Sequence, residues 1–104
     1  MDFSVKNFEF FAHLKQFAFV DEIWLYGSRA RGDASERSDI DLAIVCPKAT
    51  EDQWHLIQDV IADADTLLKI DYVRFDALEQ NNELRKNILK DKQVLFKREI
   101  HCGG

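Results

Sequence analysis

The sequence is poor in the residues that mark linkers, disulfide frameworks and membrane spans. Its 104 residues include one proline, four glycines and two cysteines. We find no low-complexity tract and no linker, and the isolated Cys46 and Cys102 form neither a CxxC pair nor a disulfide framework. No apolar run approaches the roughly 20 residues that a membrane span needs. The first residues lack a basic region followed by an apolar run, so we expect no secretory signal and a cytoplasmic location.

Basic residues are fewer than acidic ones, 14 against 19. The net charge is −5 and the isoelectric point is near 5.1. Since an acidic domain repels a phosphate backbone, we expect no direct nucleic-acid substrate. The length predicts a single domain over residues 1–104, with a frayed tail from about residue 100.

Hydrophobic periodicity predicts alternating helices and strands. Steps of three and four indicate helices, and steps of two indicate strands. The predicted helices are residues 4–17, 51–67 and 76–89, the predicted strands are 23–26, 39–45, 70–75 and 94–96, and residues 28–31 form a turn or short helix. Thr50 and Gln53 have the spacing of a capping box, and residues 76–79 resemble another. The order predicts an α/β fold in which helices cover a small mixed sheet.

The aromatic residues of the first helix outnumber the positions on one helix face. We expect Phe8, Phe11 and Phe17 in the core. Some of Phe3, Phe10 and Phe19 are then expected in an exposed apolar patch that contacts a partner.

Two aspartates on one strand are the strongest chemical signal. Asp39 and Asp41 are two residues apart, so they share a face with Cα atoms about 6.5 Å apart. The buried-type residues Ile40, Leu42 and Ile44 occupy the other face and fix the register. For Asp-x-Asp alone, a half-exposed strand with solvated acids is the more common explanation. The other interpretation is a metal site, in which a cation between the two adjacent carboxylates relieves their repulsion.

Gly27 and Ser28 directly follow the first predicted strand. A glycine there permits close approach of the backbone to a phosphate, and Ser28 adds donors. An ordinary helix cap is the alternative interpretation.

Asp71 is the candidate third carboxylate and general base, because it lies among apolar residues on the third strand. A salt bridge to a lysine or arginine is its alternative explanation.

The segment Gly27-Ser28-Arg29-Ala30-Arg31-Gly32, followed by Ser38-Asp39-Ile40-Asp41, resembles the signature of the DNA polymerase beta-like nucleotidyltransferase superfamily. Ser28 and Asp39 are 11 positions apart, which fits the spacing of that signature. The small size is similar to that of the minimal nucleotidyltransferases, the MNT-type antitoxins. The resemblance implies a palm-like core that binds Mg²⁺ through Asp39, Asp41 and Asp71, and a nucleotide through Gly27 and Ser28. It assigns no role to Arg29 and Arg31, which could pair with phosphates or with Asp33 and Glu36.

The resemblance also implies a reaction and a partner. The expected activity is transfer of a nucleoside monophosphate, AMP from ATP, to a hydroxyl of a partner protein. The expected partner is a helical HEPN-type toxin in a hetero-oligomer. Two alternatives stay open: an antitoxin that acts by occlusion alone, and a small-molecule adenylyltransferase whose acceptor site needs a second subunit.

Overall fold

The computed structural model describes residues 5–32 and 38–98. Four helices and four strands alternate in this part of the chain, with 3-10 turns at Val5–Asn7 and Phe75–Ala77. In chain order they are α1 Glu9–Gln16, β1 Glu22–Tyr26, α2 Gly27–Arg31, β2 Ile40–Val45, α3 Glu51–Ala62, β3 Ile70–Arg74, α4 Glu83–Asp91 and β4 Gln93–Lys97. None of the described helices has the length and apolar character that a membrane crossing requires. The predicted tail from residue 100 lies outside the described residues.

The sheet has the strand order β3-β2-β1-β4. Strand β1 pairs antiparallel with β2 and β4, whereas β2 pairs parallel with β3. A parallel pair needs a crossover connection, which α3 provides between β2 and β3. The predicted fold class, a small mixed sheet packed against helices, is confirmed.

One face of the sheet is packed throughout. Alternate residues of β1 and β2 point to it and are buried: Ile23, Leu25, Ile40, Leu42 and Ile44. Helices α1 and α3 cover these residues with Phe10, Phe11, Leu14, Ile57 and Ile61. We call this the packed face, and it confirms the predicted alternation along β2.

The opposite face carries Trp24, Tyr26, Asp41, Ala43 and Asp71, and we call it the open face. Among the described residues, Phe75 and Ile88 pack on Trp24 and Ala43 of this face and form a small buried cluster with them. The rings of Trp24 and Phe75 meet edge to face with centroids 4.6 Å apart. The cluster leaves the carboxylates of this face only partly covered.

The prediction for the aromatic residues of the first helix is partly wrong. Phe11 is buried as expected, but Phe10 is buried too, at 3% exposure. Phe17 and Phe19 are half-buried and stack at 4.9 Å. The chain bends after α1, so the rings of Phe17 and Phe19 cover each other, and neither Phe10 nor Phe19 is exposed. Phe3 lies outside the described residues.

Helix α3 begins as predicted and ends earlier than predicted. Thr50 and Gln53 form the capping box, with hydrogen bonds of 2.9 and 3.2 Å. The helix stops at Ala62 rather than at residue 67. Beyond it, the carboxylate of Asp65 accepts the backbone N–H groups of Glu9 and Phe10. Asp65, which periodicity alone places in α3, therefore lies beyond the end of that helix and caps α1.

Helix α4 begins at Glu83, with the side chain of Asn82 as its cap, and not at residue 76. Asp76 instead accepts the backbone N–H of Cys46 at 2.9 Å and pairs with Arg74 at 2.9 Å. Asp76 therefore bonds to Cys46, 30 residues away in sequence, and does not cap a helix of its own segment. Residues 75–77 form a 3-10 turn.

Candidate functional site

Two carboxylates lie side by side on the open face. The register pairs Tyr26 with Asp41 across β1 and β2, and Asp41 with Asp71 across β2 and β3. Paired residues on adjacent strands point to the same face at close range. The structure therefore brings Asp41 and Asp71 together, although they are far apart in sequence.

Gly27 lies directly against the carboxylate of Asp41. A β-carbon at Gly27 would overlap Oδ2 of Asp41 and would lie 3.3 Å from its Cγ. Gly27 also has a φ of 73°, which side-chain-bearing residues rarely adopt. Both space and backbone conformation thus require glycine at this turn.

Asp39 precedes β2 and is exposed, and Arg29 holds the backbone around it. The Arg29 guanidinium donates from Nε and Nη2 to the carbonyl of Ser38, at 3.1 and 2.6 Å. Its Nε also donates to the carbonyl of Asp39 at 3.3 Å. These bonds join α2 to the start of β2, so Arg29 positions the segment that carries the aspartates.

Arg31 pairs with Asp91 at 3.1 Å and thereby joins α2 to the end of α4. The alternative partners Asp33 and Glu36, considered from the sequence, lie outside the described residues.

Asp71 has a cationic neighbour, as its alternative explanation anticipated. Its Oδ1 lies 3.6 Å from Nζ of Lys69. Both side chains are well exposed, at 45% and 71%, and exposed pairs contribute little to stability. The ion pair therefore does not account for the placement of Asp71 beside Asp41.

The electrostatic environment penalises the ionised form of Asp41. Burial raises the pKa of Asp41, and the neighbouring charges of Asp71 and Asp39 raise it further. Arg29 and Arg31 act in the opposite direction without cancelling this effect. Burial also raises the pKa of Tyr26 to about 12, with the charges of Asp41 and Asp71 adding to it. A cation at this position would relieve the repulsion.

The donor set fits a hard divalent cation. Asp39, Asp41 and Asp71 offer only carboxylate oxygens, the ligand type that Mg²⁺ prefers. Within residues 5–32 and 38–98, no three acidic, histidine or cysteine side chains lie close enough together to hold a metal ion by themselves. Mg²⁺ commonly binds one or two carboxylates plus phosphate oxygens and water. The aspartates suit such a shared site.

Ser28 is the second residue of α2, which begins directly beside Asp41. The capping residue Tyr26 makes no side-chain hydrogen bond to the first turn of α2. The first N–H groups of a helix have no partner within it and are available to an anion. Ser28 and Gly27 therefore lie where a phosphate could meet both the turn and the aspartates.

The sequence patterns did not identify Tyr26 as part of the site. They also did not predict the hydrogen bonds from Arg29 to the carbonyls of Ser38 and Asp39. Tyr26 alternates with Trp24 and immediately precedes Gly27, which could have indicated its place on the open face. The Arg29 contacts depend on closure of the chain between α2 and β2, for which no local pattern exists.

Comparison with known proteins gives a family match over most of the chain. Residues 11–101 match the profile of the family described as Polymerase beta, Nucleotidyltransferase. No curated protein sequence gives a significant match.

Several solved structures are similar in fold. A toxin–antitoxin complex with AMP-PNP is 19% identical, with a TM-score of 0.61 over 83% of this chain and 68% of that chain. A putative nucleotidyltransferase from Sulfolobus solfataricus is 27% identical, with a TM-score of 0.56 over 86% and 76%. A mutant of the MntA-HpeT toxin–antitoxin pair is 16% identical, with a TM-score of 0.59 over 83% and 67%.

Proposed function

The chain belongs to the polymerase beta nucleotidyltransferase family, and on that basis we propose that it transfers AMP from ATP to a hydroxyl of a partner protein. The observation that carries this proposal is the row formed by Gly27, Asp41 and Asp71. The turn at Gly27 adjoins two carboxylates there, and a cation would relieve their repulsion. This combination suits a nucleoside triphosphate better than an uncharged substrate.

Asp39, Asp41 and Asp71 would hold Mg²⁺. Bound there, the metal would neutralise charge on the triphosphate and on the attacking oxygen. Arg29 would keep Asp39 and Asp41 in place through its bonds to the carbonyls of Ser38 and Asp39.

Gly27 and Ser28 would bind the triphosphate. The missing side chain of Gly27 lets the backbone approach the phosphates, and Ser28 offers its hydroxyl and backbone N–H. The phosphates would then lie beside Asp41, because Gly27 already contacts that carboxylate.

Asp71 would accept the proton of the acceptor hydroxyl. The deprotonated oxygen attacks the α-phosphorus, a new phosphoester bond forms, and the α–β bridge breaks to release pyrophosphate. The partial exposure of Asp71 leaves it accessible to an acceptor that arrives from solvent.

The proposed acceptor is a helical HEPN-type toxin that this chain neutralises as its antitoxin. Two of the similar structures are toxin–antitoxin complexes, and one of them contains AMP-PNP. Those likenesses support the proposal at the level of the fold.

The test uses α-labelled ATP, Mg²⁺ and the purified product of the adjacent reading frame. Label on that protein with the wild type, and none with Asp39→Ala plus Asp41→Ala, supports transfer. Asp59→Ala plus Asp63→Ala is the matched control, because it removes two exposed aspartates from the packed side. No label on protein with the wild type contradicts the proposal.

Neutralisation of the toxin is measured with the same variants. If the Asp39→Ala plus Asp41→Ala variant still neutralises the toxin, occlusion replaces transfer as the mechanism. Labelled small molecules, identified by mass spectrometry, would redirect the proposal to a small-molecule acceptor.

A further inference from the structure

The charges of this acidic chain are segregated. Residues 83–98 carry six basic and two acidic side chains, a net charge of +4, so the other residues carry −9. One of the two acids, Asp91, is already paired with Arg31. A positively charged segment within a net-negative chain favours contact with an acidic ligand.

Apolar side chains are exposed within this positive region. Leu89 is 45% exposed on α4 and Val94 is 43% exposed on β4. Lys86, Leu89 and Lys90 lie on one side of α4, because residues three and four apart are neighbours on a helix. Leu89 and Val94 therefore offer apolar area that a protein partner could bury, within the same segment as the lysines.

The same region adjoins the candidate site. Nζ of Lys92 lies 3.9 Å from the ring centroid of Trp24, on the open face. Trp24 pairs with Val94 and lies two residues, or about 7 Å of strand, before Tyr26. Tyr26 in turn pairs with Asp41. A partner that bound over Lys92 and Val94 would therefore reach the carboxylates.

We propose that Lys86, Leu89, Lys90, Lys92 and Val94 form a docking surface for an acidic, leucine-bearing surface of the acceptor protein. This inference rests on the proposed function, because it names the surface where the proposed acceptor protein binds. The exposed apolar groups favour protein over nucleic acid, because a phosphate backbone gains nothing from Leu89 and Val94. The negative charge of the other residues also opposes nucleic acid.

Binding is tested with defined probes rather than with the acceptor. The supporting probe is a synthetic helical peptide with leucine along one face and glutamate elsewhere. The comparison probes are the same peptide with lysine for glutamate, and a single-stranded oligodeoxynucleotide. We expect the glutamate peptide to bind best at low salt and to shift the amide resonances of α4 and β4. Equal or tighter binding of either comparison probe overturns the assignment.

The decisive variant is Lys86→Glu plus Lys90→Glu, with Lys15→Glu plus Lys48→Glu as the matched control. All four lysines are exposed, and the control pair lies outside the basic segment. We expect at least a tenfold loss of peptide affinity in the first variant and less than a twofold change in the control. Lys86→Gln plus Lys90→Gln should give a smaller loss, which guards against a local effect of glutamate on α4. Unchanged peptide affinity in the first variant contradicts the proposal.

ATP binding by the same variants separates docking from nucleotide binding. Unchanged ATP affinity in Lys86→Glu plus Lys90→Glu supports docking, whereas its loss assigns these lysines to the nucleotide and overturns the inference. Failure of the wild type to bind ATP would count against the proposed function alone, because the peptide measurements do not depend on it.

Discussion

The two faces of the sheet use the same strands for different purposes. On the packed face, Leu42 and its alternating neighbours are fully buried beneath α1 and α3. On the open face, the intervening residues include Asp41, which repels its acidic neighbours. Strand alternation allows this division, because a residue and its successor point to opposite sides. Most of the buried apolar side chains lie on the packed face, so the open face can hold an unfavourable arrangement of charges.

Two carboxylates show the same contrast in their ionisation. The backbone N–H of Glu9 stabilises the ionised form of Asp65 and, with that of Phe10, lowers its pKa. Burial and acidic neighbours raise the pKa of Asp41 instead. Asp65 therefore favours the fold when charged, and Asp41 opposes it when charged.

The largest expected effect is on activity, from Asp41→Asn on the open face. We expect transfer to fall by about a thousandfold, or ~4 kcal/mol, because a charged ligand of the proposed metal is lost. Stability in metal-free buffer should stay equal or rise, since an ionised group with a raised pKa destabilises the fold at neutral pH. Thermal unfolding and the transfer assay, run in parallel, check both. A large loss of stability would contradict the view that Asp41 on the open face opposes folding when it is charged.

Leu42→Ala, one residue further along the same strand, should have the opposite profile. Its side chain is fully buried, so we expect a loss of about 3 kcal/mol in the free energy of unfolding. Val73→Ala, half-buried on the open face, is the comparison variant and should cost about 1 kcal/mol. Urea unfolding measures both values. Equal losses would show that the two faces contribute alike.

Gly27→Ala tests the contact between the phosphate-binding turn and Asp41. Gly27 and Gly32 both have positive φ, so alanine at either position costs about 1 kcal/mol of backbone strain. At Gly27 the new methyl group would also meet the Asp41 carboxylate, whereas none of the described residues has an atom within 4 Å of the corresponding position at Gly32. We expect a tenfold or greater loss of transfer for Gly27→Ala and little change for Gly32→Ala. Similar losses for the two variants would assign the effect to backbone strain.

The sequence predicted the fold where the signal is local. Alternation along β2 identified both faces, and the spacing of Thr50 and Gln53 located the start of α3. Local signals failed where a distant partner decides. The spacing at Asp76 predicts a helix cap, but its carboxylate accepts a hydrogen bond from the backbone N–H of Cys46. Periodicity places Asp65 in a helix, but its carboxylate caps α1.

The candidate site divides in the same way. Gly27, Ser28, Asp39 and Asp41 could be proposed from motif spacing, and their chemical roles stay predictions. The adjacency of Asp41 and Asp71 follows from the parallel register of β2 and β3. Neither that register nor the bonds of Arg29 to the carbonyl groups before β2 has a signature in local sequence.

The smallest expected effect is on the packed side, from Asp65→Asn. Because the folded-state pKa of Asp65 lies below the ordinary 3.8, its stabilising contribution is present above that value. The contribution is lost as the pH falls through the folded-state pKa. The asparagine variant should therefore unfold at a lower temperature than the wild type at pH 6, and the difference should shrink as the pH is lowered toward 2. Asp63→Asn, two residues earlier and exposed, is the control for removing one negative charge from this segment. A constant difference across this range would mean that Asp65 contributes through packing rather than through its charge on the N–H groups of α1.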